Sequence, residues 1–235
     1  MNDVSVIDIK DLQYTYPNGY QALFGISLTI KAGEKVALIG QNGAGKSTLL
    51  LHFNGIYTGA GQIKICALPM MKANLKQIRA KVGIVFQSPD DQLFSPTVFD
   101  DVAYGPIYMG LSKEEINRRV SDALQAVEMQ GFAERVTYHL SMGEKKRIAI
   151  ATVLSMQPEI LVFDEPTAGL DPRARRNLIR LIEQLPQTLI VATHDLEFAR
   201  QSFTRVILMN HGKIIADGQP DEIIGNVELL ERNGL

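Results

Sequence analysis

Cysteine is nearly absent: Cys66 stands alone among 235 residues. No disulfide can form within the chain and no cysteine-rich metal site exists, which points to reducing surroundings. Long apolar runs are missing too. No stretch approaches the roughly 18 residues that a membrane-spanning helix needs. Work at a membrane would therefore require other subunits to hold the chain there. Met1 to Lys10 carries Asp3 and Asp8 within a short apolar alternation and does not read as a signal peptide. The charges nearly balance at a formal net −2, which argues against a general nucleic-acid surface. Repeats, low-complexity tracts and flexible linkers are also lacking. What remains is a globular composition, 46% hydrophobic and 21% charged. The chain is long enough for one large domain or two small lobes with a substantial core.

Against that plain background one stretch stands out: Gly40-Gln41-Asn42-Gly43-Ala44-Gly45-Lys46-Ser47. It matches G-x-x-x-x-G-K-[ST], a pattern that chance supplies in roughly one chain in a hundred of this length. The context agrees with the pattern. Val36 to Ile39 is an apolar run suited to a buried strand leading in, and Thr48 to Phe53 reads as the helix leading out. Such a loop turns backbone N–H groups and a helix start toward phosphate. Its glycines let the backbone come close. Lys46 can reach the β- and γ-phosphates, and the Ser47 hydroxyl can ligate Mg2+. Alone, the loop says only that the chain binds a nucleoside triphosphate.

The rest of the chain alternates strands and helices. Val4–Ile9 and Ala22–Ile30 read as strands, separated by turn chemistry from Tyr14 to Gly19. Gln62–Ile65 and Val82–Phe86 read as further strands, the second ending at Gln87. From about Asp100 to Gln130 the pattern becomes helical. Ser112 to Glu115 is a helix start of capping-box type, and Ile116, Val120, Ala123, Leu124 and Val127 fall on one face. Ile160–Phe163 and Leu189–Ala192 are short continuous apolar runs suited to central parallel strands. Val206–Met209 and Lys213–Ala216, joined through Asn210-His211-Gly212, read as a hairpin.

Two more segments carry chemistry. Ile160-Leu161-Val162-Phe163-Asp164-Glu165 delivers adjacent carboxylates at a strand's C-terminal end, where ligand sites of open α/β sheets lie. Asp164 is placed to hold Mg2+. Glu165, pointing the other way along the strand, is placed to act on attacking water as general base. A solvated Asp-Glu turn is the plainer alternative. In Leu140-Ser141-Met142-Gly143-Glu144-Lys145-Lys146-Arg147, Ser141 and the Gly143 N–H sit at a helix start, a second place for an anion. Taken alone, these residues also read as an ordinary helix cap.

Leu-Ser-x-Gly-[Gln/Glu] before a helix, ahead of a strand ending in Asp-Glu, resembles the signature of ATP-binding-cassette (ABC) ATPases. The resemblance spans essentially the whole chain, with the motifs in the expected order. It implies an α/β fold: a P-loop NTPase core of mostly parallel sheet flanked by helices, and an N-terminal antiparallel β subdomain. It also implies one domain over 1–235 with a helical insertion, approximately 88–150, that carries the signature. It implies that Gln87 ligates Mg2+ and senses a transmembrane partner, that Asp171 lies across a dimer interface, and that His194 helps hold the attacking water at the γ-phosphate. Tyr16 resembles the aromatic residue that stacks on adenine, with Tyr14 and Tyr20 as competitors. Ser141 and Gly143 would meet the γ-phosphate held by the opposite subunit. Met142 departs from the pattern, replacing the first of two glycines, and its Cβ is expected to crowd the nucleotide or alter the turn.

Val82 to Val98, with Gln87-Ser88-Pro89-Asp90-Asp91-Gln92-Leu93-Phe94, is most similar to the ATPases of energy-coupling-factor importers, in particular the cobalt and nickel branch. That resemblance implies two ATPase subunits, a homodimer by expectation, at the cytoplasmic face of the membrane. They would lie beneath a transmembrane coupling protein and a membrane substrate-binding subunit, using ATP and Mg2+. Asp90, Asp91 and Gln92 then shape a groove for the coupling protein rather than bind transported metal, with Leu93 and Phe94 as apolar contacts. The basic clusters at 145–147 and 173–176 read as solvated helix faces, interface charges or lipid contacts rather than a nucleic-acid site. The alternatives are a vitamin importer's ATPase, a soluble non-transport ABC ATPase, and a small-molecule kinase sharing the phosphate loop.

Overall fold

The computed structural model describes residues 4–235, so Met1 to Asp3 of the N-terminal reading lie outside the described residues. The chain forms two compact units. The first takes the N-terminal segment through Val82, then 159–164 and 186–235; the second takes 83–158 and 165–185. In chain order, β1 (Ser5–Thr15), β2 (Gln21–Lys31), β3 (Lys35–Ile39), α1 (Lys46–His52), β4 (Ala60–Ile65), β5 (Leu68–Pro69) and α2 (Leu75–Lys81) belong to the first. β6 (Val82–Val85) carries the chain into the second, where α3 (Val98–Tyr108), α4 (Lys113–Ala126) and α5 (Met142–Leu154) follow. β7 (Ile160–Asp164) returns to the first and α6 (Pro172–Gln184) to the second. β8 (Thr188–Ala192), α7 (Leu196–Ser202), β9 (Arg205–Asn210), β10 (Lys213–Gly218), α8 (Pro220–Ile224) and α9 (Val227–Arg232) complete the first.

The first unit holds two sheets. One is antiparallel in the order β2-β1-β4-β5. Its inward row, including Ile7, Ile9, Leu12, Leu23, Ile26 and Ile30, is buried. Period-two alternation holds from Ile7 to Ile9 and from Ile26 to Ile30, and register shifts next to Leu12 carry the row on to Leu12 and Leu23. β1 runs past the expected turn, because Tyr14 and Thr15 still pair with Leu23 and Gln21. The other sheet runs β10-β9-β3-β8-β7, with β9, β3, β8 and β7 parallel and β10 antiparallel. Val36–Ile39, Ile160–Phe163 and Thr188–Ala192 are buried throughout, which is why these strands read as unbroken apolar runs. The register sets Leu38 beside Ala192 and Ala192 beside Asp164. Parallel neighbours end together, so the C-terminal ends of β3, β7 and β8 lie on one edge.

The second unit is built on helices. Thr97 caps α3 through the Asp100 N–H (3.2 Å), and Ser112 caps α4 through the Glu115 N–H (3.3 Å). The reciprocal half of the capping box expected at Ser112 does not form. Arg118 and Arg119 both claim the Glu115 carboxylate. The complete box is at Ser141 and Glu144, at the start of α5. α3 meets α5 closely: a Cβ on Gly105 would lie 2.5 Å from Met156 Cγ, and the Ser155 hydroxyl donates to Val102 O at 2.8 Å. Buried Asp101 accepts from the N–H groups of Phe94 and Ser95 and from the Thr137 hydroxyl, closing the loops around α3.

Candidate nucleotide-binding site

The phosphate loop leaves β3 at Gly40, whose φ of +151° and surroundings exclude any side chain: an added Cβ would lie 2.2 Å from Met209 O. The loop turns through an Ala44 N–H to Gln41 O bond of 3.1 Å and enters α1 at Gly45 with φ +100°. Gln41, Asn42 and Gly43 form its exposed crown, with the Gln41 amide donating to Gly234 O at 2.8 Å. Lys46 is buried and donates to Gly40 O (2.5 Å) and Gln41 O (3.0 Å), so its ammonium lies inside the loop it is expected to serve. Thr48 is buried and shares a 2.7 Å hydrogen bond with the Tyr16 hydroxyl. Tyr16 also stacks with Tyr20, centroids 6.3 Å apart.

Asp164, at the end of β7, receives the Ser47 hydroxyl's hydrogen bond. Its other oxygen, Oδ1, is buried with no hydrogen-bond partner among the described residues. Burial pushes the carboxyl's pKa up, against the pull of the Ser47 bond and the Lys46 charge. A serine hydroxyl joined to a carboxylate with an unsatisfied oxygen is a donor set that fits a hard divalent cation such as Mg2+. His194 is exposed just after β8. Its neighbours are fixed: the Thr193 N–H donates to Leu38 O (3.0 Å), the Thr193 hydroxyl accepts from the Asp195 N–H (3.0 Å), and Asp195 caps α7. The first unit thus sets the loop, Asp164 and His194 along one sheet edge.

Sequence reasoning missed His52, although its place in the apolar run after Thr48 was a signal. It is fully buried on α1, with Nδ1–H donating to Thr48 O at 2.7 Å and Tyr14 meeting it edge-on at 4.8 Å. Burial lowers its pKa. Tyr14 stacks on Tyr57 at 5.0 Å, so of the competing tyrosines it is the one committed to packing around His52.

The second unit carries the other predicted residues. Gln87 is exposed after β6. Glu165 is buried, with φ +46°. β7 ends at Asp164, so Glu165 is aimed by a left-handed backbone rather than by strand alternation, a conformation costly for a residue with a Cβ. Ser141 donates its hydroxyl to Glu144 Oε2 (2.7 Å), and its N–H donates to the same oxygen (2.8 Å). These bonds hold the Glu144 carboxyl below its usual range. Asp171 caps α6, accepting from the N–H groups of Arg173 (2.8 Å) and Ala174 (3.0 Å). A cavity of about 580 Å³ brings Ser141, Gly143 and Asp171 together, with Arg147, Arg173 and Asn177 also on its wall. Met142 lines a different cavity of about 320 Å³ with Gln87, Lys146 and Gly169.

Two expectations change. Leu93 is buried and not available for docking, because its N–H closes a turn onto Pro89 O (2.8 Å); Phe94 stays 68% exposed. The 145–147 cluster is not a solvated face. Lys145 pairs with Asp90 (2.6 Å), Arg147 with Glu128 (2.8 Å), and Lys146 is only 4% exposed.

Residues 23–168 match the family model described as ABC transporter. The chain is similar to a protein of Methanothermobacter thermautotrophicus named energy-coupling factor transporter ATP-binding protein EcfA, at 49% identity over 98% of this chain and 76% of the relative. Among solved structures it is similar to CbiO1 from Clostridium perfringens, described as part of the ABC transporter complex CbiONQ. There the TM-score is 0.86 at 39% identity, covering 97% of this chain and 94% of the other. An ATP-binding cassette solved as a dimer in a post-hydrolysis state with ADP and Pi gives a TM-score of 0.81 at 29% identity, covering 91% and 98%.

Proposed function

Since the chain belongs to the ABC transporter family and is an ATPase of that family, we propose that it is the ATP-hydrolysing subunit of an energy-coupling-factor importer for a transition-metal ion, nickel or cobalt. Two copies sandwich two ATP molecules at the cytoplasmic face of the membrane. Transmembrane coupling and substrate-binding subunits convert the closing and opening of the pair into transport. The observation that carries the composite site is the single cavity shared by Ser141, Gly143 and Asp171. The helix start at Ser141 and Gly143, with Arg147 and Arg173 on the same wall, suits the phosphate end of a nucleotide held by the opposite copy. The importer assignment is supported by the relative named as an energy-coupling factor subunit. Its metal branch rests on the resemblance of residues 82–98.

In this reading Tyr16 stacks on adenine, held in place by its bond to Thr48. Residues 40–48 wrap the phosphates, and Lys46 turns its ammonium from the loop carbonyls to the β- and γ-phosphates. Ser47 and Asp164 would hold Mg2+, with Gln87 as the further ligand that the family resemblance implies, and the ion would neutralise phosphate charge. Glu165 takes the proton of the attacking water, and His194 orients that water against the γ-phosphate. Ser141 and the Gly143 N–H stabilise the phosphoryl group from the other copy, and Asp171 packs across the interface. No helix among the described residues is long and apolar enough to cross a membrane, consistent with peripheral attachment through partners.

The test is reconstitution of the chain with its co-purifying membrane subunits in vesicles. ATP-dependent uptake of radiolabelled nickel or cobalt, abolished by Glu165→Gln, is the expected result. ATP-dependent uptake of a vitamin but neither metal would overturn the metal assignment. Co-purification with ribosomal or DNA-bound proteins alone would overturn the importer.

A further inference from the structure

The signature helix α5 does more than present Ser141. On its second turn, buried Lys146 reaches inward, and its ammonium donates to the backbone carbonyls of Gln87 (3.1 Å) and Glu165 (3.4 Å). Those two residues lie 59 and 19 positions away in the chain. Both hydrogen bonds go to backbone carbonyls, so Lys146 fixes where each residue's main chain runs, and its charge also acts on the Glu165 carboxylate. The Glu165 main chain is the one held at φ +46°, a conformation that persists only where surroundings enforce it. The Gln87 segment is gripped by α5 at two further points. Lys145 pairs with Asp90 at 2.6 Å. The Gln92 side chain accepts from the Phe86 N–H (3.1 Å) and donates to Ala149 O (2.8 Å) and Thr152 Oγ1 (2.7 Å). A lysine ammonium is costly to bury and does so here among carbonyl acceptors that suit it.

We propose that Lys146 is a positioning residue for ATP hydrolysis, tying the Gln87 and Glu165 main chains to the helix that starts at Ser141. A helix is a rigid element. One that touches the partner's nucleotide at its N-cap and fixes the main chain of a copy's own water-activating glutamate links the two sites of a dimer. The inference rests on the roles proposed above for Gln87, Ser141 and Glu165.

The experiment is steady-state ATP hydrolysis by the full chain, with the melting temperature of each variant recorded. Lys146→Met, which keeps the length and removes the donors, is expected to lower kcat at least tenfold while leaving KM for ATP within threefold. Lys146→Gln keeps N–H donors on a shorter arm, and its kcat is expected to fall several-fold, again at unchanged KM. It serves alone should the methionine variant fail to fold. Wild-type kcat in either folded variant overturns the inference. So does a KM that rises in step with the loss of kcat, since that is what general loosening of the fold would give. Glu165→Gln is run in parallel. If it hydrolyses ATP at the wild-type rate, the site assignment itself fails. If it is inactive while the Lys146 variants are not, only the inference fails.

Discussion

Replacing Gly40 by alanine should destabilise the protein through two separable effects, and Gly43→Ala isolates one of them. Both glycines have positive φ, +151° and +82°, so a Cβ at either strains the backbone. At Gly43 nothing among the described residues lies within 4 Å of the added carbon. The cost there is the left-handed conformation alone, about 1–2 kcal/mol, reduced by the smaller conformational freedom of alanine in the unfolded chain. At Gly40 the added carbon falls 2.2 Å from Met209 O and 3.2 Å from Ala44 Cβ, where ordinary contact begins at 3.4 Å. Met209 O is main chain in β9, and β9 pairs directly with β3, Ile39 beside Leu208. Relief therefore means parting two central strands, an overpacking cost of about 1–3 kcal/mol. Together with backbone strain of similar size, Gly40→Ala should lose roughly 2–5 kcal/mol and Gly43→Ala about 1. Urea unfolding followed by circular dichroism measures both. Gly40→Ala should also weaken ATP binding, because Gly40 O accepts the Lys46 ammonium. Equal midpoints for the two variants, or a wild-type midpoint for Gly40→Ala, would refute the geometric argument.

Three further outcomes are expected. Asp164→Asn should fold normally and retain Mg2+-free nucleotide binding but lose at least tenfold in the enhancement of ATP affinity by Mg2+, measured by titration calorimetry; an unchanged Mg2+ effect would remove Asp164 from the metal site. Tyr16→Phe keeps the ring and loses the Thr48 bond, so its ATP affinity should stay within threefold, whereas Tyr16→Ala should lose the ~1–3 kcal/mol of base stacking; equal effects would move the adenine platform elsewhere. Burial depresses the His52 pKa in the folded chain, so the unfolded chain binds more protons once pH falls below the ordinary histidine value of 6.5. The stability from neutral His52 is present in full above that pH and drains away as pH drops toward the folded value. Tyr14 and Tyr57, the rings around it, have raised pKa values and stay neutral there. Unfolding midpoints compared at pH 7.5 and 5.5 should converge for His52→Phe; an equal acid loss in that variant would exclude His52 as its source.

The phosphate loop was legible because its function demands a local pattern: fixed glycines between a buried strand and a helix. The central strands were legible because burial on both faces leaves unbroken apolar runs, as in Ile160–Phe163. What escaped the sequence depends on residues distant along the chain. Ser112 carries the letters of a capping box, but Arg118 and Arg119 take the Glu115 carboxylate, and the box closes at Ser141 instead. Glu165 follows a strand, yet its left-handed backbone ends the alternation that was to aim it. Leu93 and Phe94 are adjacent and apolar, yet at the turn onto Pro89 one is buried and the other exposed. Lys146 sits in a basic run that reads as surface, and the carbonyls that let it be buried belong to residues remote in sequence.

Light scattering of Glu165→Gln with and without Mg-ATP tests the composite site most directly. Nucleotide should double the measured mass from the 26.0 kDa of one chain, and adding Ser141→Arg should abolish the doubling. A mass that stays at one chain with ATP bound, or pairing that survives Ser141→Arg unchanged, would contradict it.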